Sequence, residues 1–303
     1  MPHPVAKRRR RRLELLQTTE RHLPISFALI GAQKAATSTL YRMLVKHPEV
    51  VGGPEKEMRF FMREDVDWDD PDYGEYVRPA QRPTVRLAGD ATPDYAIWPH
   101  ALERMHRYNP DMRIVLSARD PIERAMSQWS MERDRIATFP DVPDAIAAYA
   151  ADRLPEEVPE GVKPWEFLRH TMFVRGLYAQ QVRRVLEVFA REQLLVLDFA
   201  DIARAPEATL DQVTDFLDLP RFEQHPKLGH KNKTREDHIG AAPTVQDIGR
   251  LVDLYAADLA EFAELSGLDL SGWSTSRVIA GELDLEEFTL RLSQRLGLAP
   301  GGA

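Results

Sequence analysis

Apolar residues along the chain fall into short, separated groups whose spacing alternates between strand and helix. The run Ile25 to Ile30 is apolar, β-prone and closed by Gly31, the pattern of a buried strand. From Thr37 to Lys46, Leu40, Tyr41 and Leu44 share one side at helical spacing, and the helix stops before Pro48. Val50 opens a brief extended segment cut by Gly52, Gly53 and Pro54, and residues 64–84, acidic, aromatic and turn-rich, read as a surface connection. Val85–Gly89 and Arg113–Ser117 read as strands, and Pro99–Tyr108 and Pro121–Arg133 as helices. Tyr178, Val182, Val185, Leu186 and Phe189 mark a further helix, Gln193–Phe199 a strand, and Leu210, Val213, Phe216 and Leu217 one side of another helix. A long helix spans Val245–Leu265 behind Thr244 as N-cap, and an amphipathic one covers Leu285–Leu296. Strands separated by helical crossovers predict an α/β fold: one three-layer domain, with a central, mostly parallel sheet and helices on both faces. Ligands of such sheets bind at the carboxyl ends of the strands.

Composition narrows the classes. A length of 303 residues, 43% of them hydrophobic, supports a full core. The formal net charge of -8 argues against a nucleic-acid partner but leaves room for one basic pocket. With no cysteine, disulfides and thiolate chemistry are excluded, which fits a reducing, cytoplasmic setting. Residues 1–22 read as a basic, polar leader. No apolar stretch follows Lys7 and Arg8 to Arg12, so no secretory signal or membrane span is expected, and the basic run is a solvated tail or a weak contact with an anionic surface.

Candidate chemistry begins at Gly31-Ala32-Gln33-Lys34-Ala35-Ala36-Thr37-Ser38-Thr39. A strand–loop–helix order presents backbone N–H groups and a positive helix end to an anion, with three hydroxyls and the Lys34 ammonium beside it. The plainer reading is a capped helix with a solvated lysine. The ATPase loop, Gly, four residues, then Gly-Lys-Ser/Thr, is absent, so a nucleotide with another phosphate layout is expected.

These residues, continuing to Leu40-Tyr41 and His47-Pro48, resemble the 5′-phosphosulfate loop of sulfotransferases that use 3′-phosphoadenosine 5′-phosphosulfate (PAPS), with Ala35 and Ala36 where many members carry glycine. The segment Arg113 to Trp129, containing Arg119-Asp120-Pro121, Arg124 and Ser127, resembles the family's 3′-phosphate strand and helix. Glu55-Lys56-Glu57-Met58-Arg59-Phe60-Phe61 resembles the Lys-Glu-x-x-Phe-Phe segment of the heparan-sulfate-type and related bacterial carbohydrate branch. Asp90-Ala91-Thr92-Pro93-Asp94-Tyr95, Arg175-Gly176-Leu177-Tyr178, Phe216 to Pro220 and the polar residues 230–235 continue the resemblance, which covers about 25–273. It implies a sulfotransferase domain over 23–273 with a peripheral, acidic insert at about 134–170, and a C-terminal extension over 274–303.

The resemblance implies transfer of a sulfuryl group from PAPS to a small-molecule, glycoside or carbohydrate hydroxyl, with PAP as product and no metal required. Lys34 and Glu57 become the catalytic residues, Glu57 as general base. Ala35, Ala36, Thr37, Ser38 and Thr39 hold the 5′ end with Lys34, Arg119 and Ser127 the 3′-phosphate, and Lys231, Asn232 and Lys233 the nucleotide. His47, His100, His106 and Asp90 are the other candidate bases. Acceptor choice is expected in 62–84, with Trp68, Tyr73 and Tyr76, and in 134–170, with Tyr149, Trp165 and Phe167. A kinase on a similar sheet and a non-catalytic nucleotide- or glycan-binding relative are the competing readings.

Overall fold

In the computed structural model the described residues are 21–53, 56–80, 82–227 and 237–298. Most of the leader, together with Glu55 and Lys231, Asn232 and Lys233, lies outside them. Five strands form a parallel sheet: β1 (His22–Gly31), β2 (Val50–Gly52), β4 (Leu87–Ala91), β5 (Arg113–Ala118) and β6 (Leu194–Asp198), in the order β2-β4-β1-β5-β6. A short β3 (Val77–Pro79) runs antiparallel to the start of β1, pairing His22 with Pro79 and Pro24 with Val77. That pairing carries β1 three residues further back than its apolar run indicates.

The central strand is buried on both sides, and its alternation assigns two cores. Phe27 and Leu29 pack with Val115 and Leu197 against α1 (Thr37–Leu44) and, beyond the short α7 (Phe199–Arg204), α8 (Pro206–Phe216). Ala28 and Ile30 pack with Ile114 and Leu116 against the other layer. That layer holds α2 (Ala101–Tyr108), α3 (Pro121–Arg135), α6 (Tyr178–Val188), α9 (Val245–Ser266) and α11 (Leu285–Leu296). These are the two helical faces of the expected α/β architecture. Gly89 on β4 is required by this packing: a Cβ there would sit 2.0 Å from the Phe27 ring.

Local signals set most boundaries. The Thr244 side chain accepts from the Asp247 amide, Asp247 returns the bond, and α9 ends at Gly267 in the left-handed region. Asp284 caps α11 and Gly297 closes it, as the pattern over 285–296 predicts. Strand β4 lies two residues later than the apolar run at Val85, because Val85 closes a turn on the Arg82 carbonyl. Residues 134–170 carry two helices that periodicity did not reveal, α4 (Val142–Tyr149) and α5 (Pro164–His170), and they bury Phe139, Ile146, Leu154 and Phe167 in the main core. Past α9, α10 (Ser274–Ile279) and α11 return to that core through Phe288, Leu292 and Leu296.

Candidate functional site

The strand order reverses at β1, so a crevice opens beyond its carboxyl end between β4 and β5. The loop 31–36 lies in that crevice. Ala32 donates to the Ser117 carbonyl (2.7 Å), and the Ser117 hydroxyl donates to Ala35 O (2.7 Å) and Gly31 O (3.2 Å). The loop then turns through two left-handed residues, Lys34 (φ 71) and Ala36 (φ 66). Such conformations cost a non-glycine residue about 1–2 kcal/mol, so tertiary contacts must hold them. Ala36 is the N-cap of α1 and makes no side-chain cap, so its side chain satisfies none of the first-turn amides at the positive helix end.

Two arginines brace this loop, Arg119 just past β5 and Arg124 on α3. Arg119 Nη1 donates to Lys34 O (3.4 Å), and the fully buried Arg124 donates to Gln33 O (3.5 Å), to Gln128 Oε1 (2.9 Å) and to Met172 O. The Lys34 ammonium feels the result: burial first, then Arg119, Arg135 and Arg124, push its pKa below the ordinary lysine value. A cation in such surroundings is poised for an anion.

Arg119, expected at the 3′-phosphate, is already engaged within the protein. Its Nη2 pairs with Glu123 Oε2 (3.2 Å) and its guanidinium lies 4.6 Å over the Phe199 ring. Glu123 also receives Arg295 (2.9 Å) and the Ser274 hydroxyl (3.1 Å), while Asp120 receives the Thr275 amide and hydroxyl. The buried Arg119 Nε has no protein partner. Ser127 sits two turns along α3 and is nearly buried. One turn further, Ser130 meets His238 (2.7 Å), two positions past the last undescribed residue of the polar loop.

Glu57 occupies a strained turn, with φ 65 at Glu57 and φ 53 at Arg59. Its carboxylate holds Lys56 on one oxygen and Arg59 Nη2 (3.0 Å) on the other, and it remains partly exposed. Arg59 Nε stands 3.9 Å from Asp94 Oδ2, and Asp94 Oδ1 binds Arg175 Nη1 at 2.6 Å. The turn carrying Asp94 abuts the end of β1, since Ala96 donates to Ile30 O (3.0 Å). Asp94, Arg124 and Arg175 lie within the quoted motifs, but nothing in their spacing foretells a buried ion-pair chain.

Of the other candidate bases, His47 and Asp90 are held by buried partners. Buried His47 accepts from the Glu49 amide at Nδ1 (3.2 Å), which leaves Nε2–H to donate to Pro220 O (2.9 Å). Asp90 is fully enclosed by the hydroxyls of Tyr76 (2.8 Å), Tyr95 (3.0 Å) and Thr92 (3.1 Å), and burial raises its pKa. His100 precedes α2 on the surface and His106 packs edgewise on Phe189. Among the aromatic residues read for acceptor stacking, Trp68, Tyr73 and Tyr76 pack around Phe60, Tyr149 stacks on His170, and Phe167 is buried against Trp98, leaving Trp165 exposed. Among the described residues no group of three or more His, Asp or Glu could hold a metal, and no helix is long and apolar enough to cross a membrane.

Comparison with known proteins gives one consistent picture. A family model described as a sulfotransferase domain matches residues 90–249, a stretch that contains Arg119 and Ser127 and begins after Lys34 and Glu57. The human bifunctional heparan sulfate N-deacetylase/N-sulfotransferase 3 is 27% identical over 233 residues, covering 73% of this chain. The chain spans only 25% of that relative's length. The mouse heparan sulfate glucosamine 3-O-sulfotransferase 3A1 is 25% identical over 283 residues, covering 86% of this chain and 66% of the relative. The crystal structure of a sulfotransferase from Alicyclobacillus acidocaldarius superposes with a TM-score of 0.63 at 26% identity, covering 83% of this chain and 99% of that one.

Proposed function

Because the chain belongs to the sulfotransferase-domain family, whose model matches more than half of its length, we propose that it transfers a sulfuryl group from PAPS to a hydroxyl of a small molecule, glycoside or carbohydrate. The observation that carries this reading is the braced loop at Lys34: an uncapped helix end, a half-buried lysine and two arginines converge on one crevice. The residues fit PAPS at both ends. Lys34 and the first-turn groups of Thr37, Ser38 and Thr39 suit the 5′ end, and the unpartnered Nε of Arg119, with Ser127, suits a phosphate on the ribose. PAPS supplies the sulfuryl group.

In this reading Glu57 removes the acceptor proton as the acceptor oxygen bonds to sulfur and the bond from sulfur to the 5′-phosphate oxygen breaks. Lys34 and the α1 amides meet the charge that grows on that departing oxygen. Glu57 must first be released from Lys56 or Arg59, because each of its carboxylate oxygens is already engaged by a cation. The heparan-sulfate-type branch, with its carbohydrate acceptors, is the part of the proposal that the Lys56-Glu57 match supports.

Transfer of labelled sulfate from PAPS to a panel of alcohols and sugars tests the assignment. Glu57→Gln should keep PAP affinity nearly intact and lower turnover by about 10²-fold or more. Lys34→Ala should weaken both binding and turnover. A Glu57→Gln enzyme with a near-normal rate removes Glu57 as base.

A further inference from the structure

Asp94 is fully buried in the turn after β4, with only one of its carboxylate oxygens hydrogen-bonded. Oδ1 takes the 2.6 Å pair from Arg175, whose other nitrogens are fixed on Thr171 Oγ1 (3.3 Å) and Leu168 O (3.0 Å). The main chain is fixed as well, since Asp94 O accepts the amides of Ile97 (3.2 Å) and Trp98 (3.0 Å). The second oxygen, Oδ2, is buried and accepts no hydrogen bond among the described residues. A buried, charged oxygen without a donor is unfavourable, so a cation within reach is drawn to it.

Arg59 is that cation. Its Nε stands 3.9 Å from Asp94 Oδ2, about one ångström beyond hydrogen-bond distance, while its Nη2 holds Glu57 Oε2 at 3.0 Å. The Arg59 backbone is anchored: its amide donates to Thr92 Oγ1 (3.4 Å) and its carbonyl accepts the Met62 amide (3.1 Å). Its side chain is 52% exposed and has room to turn between the two carboxylates. One guanidinium is thus shared unequally between a partly exposed carboxylate, which it grips, and an enclosed one, which it has yet to reach.

We propose that Asp94 is a positioning residue for Glu57: it takes Arg59 over when an acceptor arrives, and so leaves Glu57 Oε2 open to the acceptor's hydroxyl proton. This rests on the sulfotransferase reading for its consequence and on the placement of Arg59 for its mechanism. In the free protein Glu57 competes for the guanidinium. An acceptor hydroxyl donating to Oε2 ends that competition, Nη2 leaves Glu57, and Nε closes on Asp94 Oδ2. The new pair lies in enclosed, low-dielectric surroundings where attraction is strong, whereas the pair given up is exposed and screened. Lys56 stays on Oε1 and keeps the carboxylate oriented.

The first test needs no ligand. In the full chain labelled with 15N-arginine, the Arg59 Nε–H resonance is assigned by its loss in Arg59→Lys, and its exchange with water is measured. Glu57→Gln, at a partly exposed position, should hand Arg59 to Asp94 and slow that exchange at least fivefold. Adding Asp94→Asn, which keeps an oxygen for Arg175 but puts an amide where Oδ2 stood, should abolish the slowing. Exchange that Glu57→Gln leaves within twofold of the parent overturns the proposal, as does slowing that survives Asp94→Asn. The second test uses PAPS and whichever alcohol or sugar of the panel above the parent sulfates fastest. Asp94→Asn should lower kcat at least tenfold with the KM for PAPS within threefold, and in an Arg59→Gln background it should change kcat less than threefold. Equal losses in both backgrounds mean that Asp94 acts only through Arg175, and overturn the proposal. A chain that transfers no sulfate defeats the sulfotransferase reading, and the exchange measurement then decides the handover of Arg59 by itself.

Discussion

Lys34 is where the local physics of the site is most concentrated. Burial and the fields of Arg119, Arg135 and Arg124 lower its pKa from the ordinary 10.5, and Asp134 opposes them only weakly. An anionic phosphate beside the ammonium acts in the other direction and raises the pKa again. The free protein therefore releases this proton at a lower pH than the nucleotide complex does. It follows that PAP binding takes up a proton in the alkaline range and weakens as pH rises through the lowered pKa. Calorimetry in buffers of different ionisation enthalpy reads that proton directly. The uptake should vanish in Lys34→Ala, and equal uptake by parent and variant would assign it to another group. Glu57 is a carboxylate already supplied with two cations and placed on a strained turn.

At the scale of elements, the C-terminal helices determine how available Arg119 is. Arg295 on α11 and Ser274 at the start of α10 share Glu123 with Arg119, and Thr275 occupies Asp120. Removing the Arg295 cation leaves the Glu123 charge to Arg119, which then competes with a 3′-phosphate. Arg295→Ala should weaken PAP about twofold to fivefold, the scale of a partly exposed ion pair, and leave AMP, which lacks the 3′-phosphate, unchanged. An equal loss for AMP would mean a general disturbance of the fold. None of this sharing is legible in the sequence, because the residues lie more than 150 positions apart and only the return of α10 and α11 to the core joins them. The elements that were legible carry their own signals: the apolar run into Gly31, Thr244 before Asp247, and the period of Leu285–Leu296. Helices α4 and α5 were not, because prolines such as Pro143 interrupt the stretch, whereas Pro143 and Pro164 occupy first-turn positions in the structure, where proline's missing N–H costs nothing. Strand β3 is three residues long and pairs with β1 across more than 50 positions, beyond the reach of local periodicity.

For the whole molecule, the parallel sheet and its order bring the 31–36 loop together with Arg119 and Arg124 beyond the carboxyl end of β1. The sequence carried the types and spacing of these groups but not their partners. Trp68, Tyr73 and Tyr76 illustrate the difference: aromatic residues in an acidic, turn-rich stretch read as surface stacking faces, yet they fill an aromatic cluster with Phe60, Phe61 and Tyr108. The central claim is that the crevice recognises two separated anions on one nucleotide, which a triphosphate site does not do. Calorimetry of PAP, AMP and ADP on the intact chain measures this most directly. The account predicts PAP at least about tenfold tighter than either, a difference of roughly 1.4 kcal/mol assigned to Arg119 and Ser127. Equal affinity for PAP and AMP would contradict it.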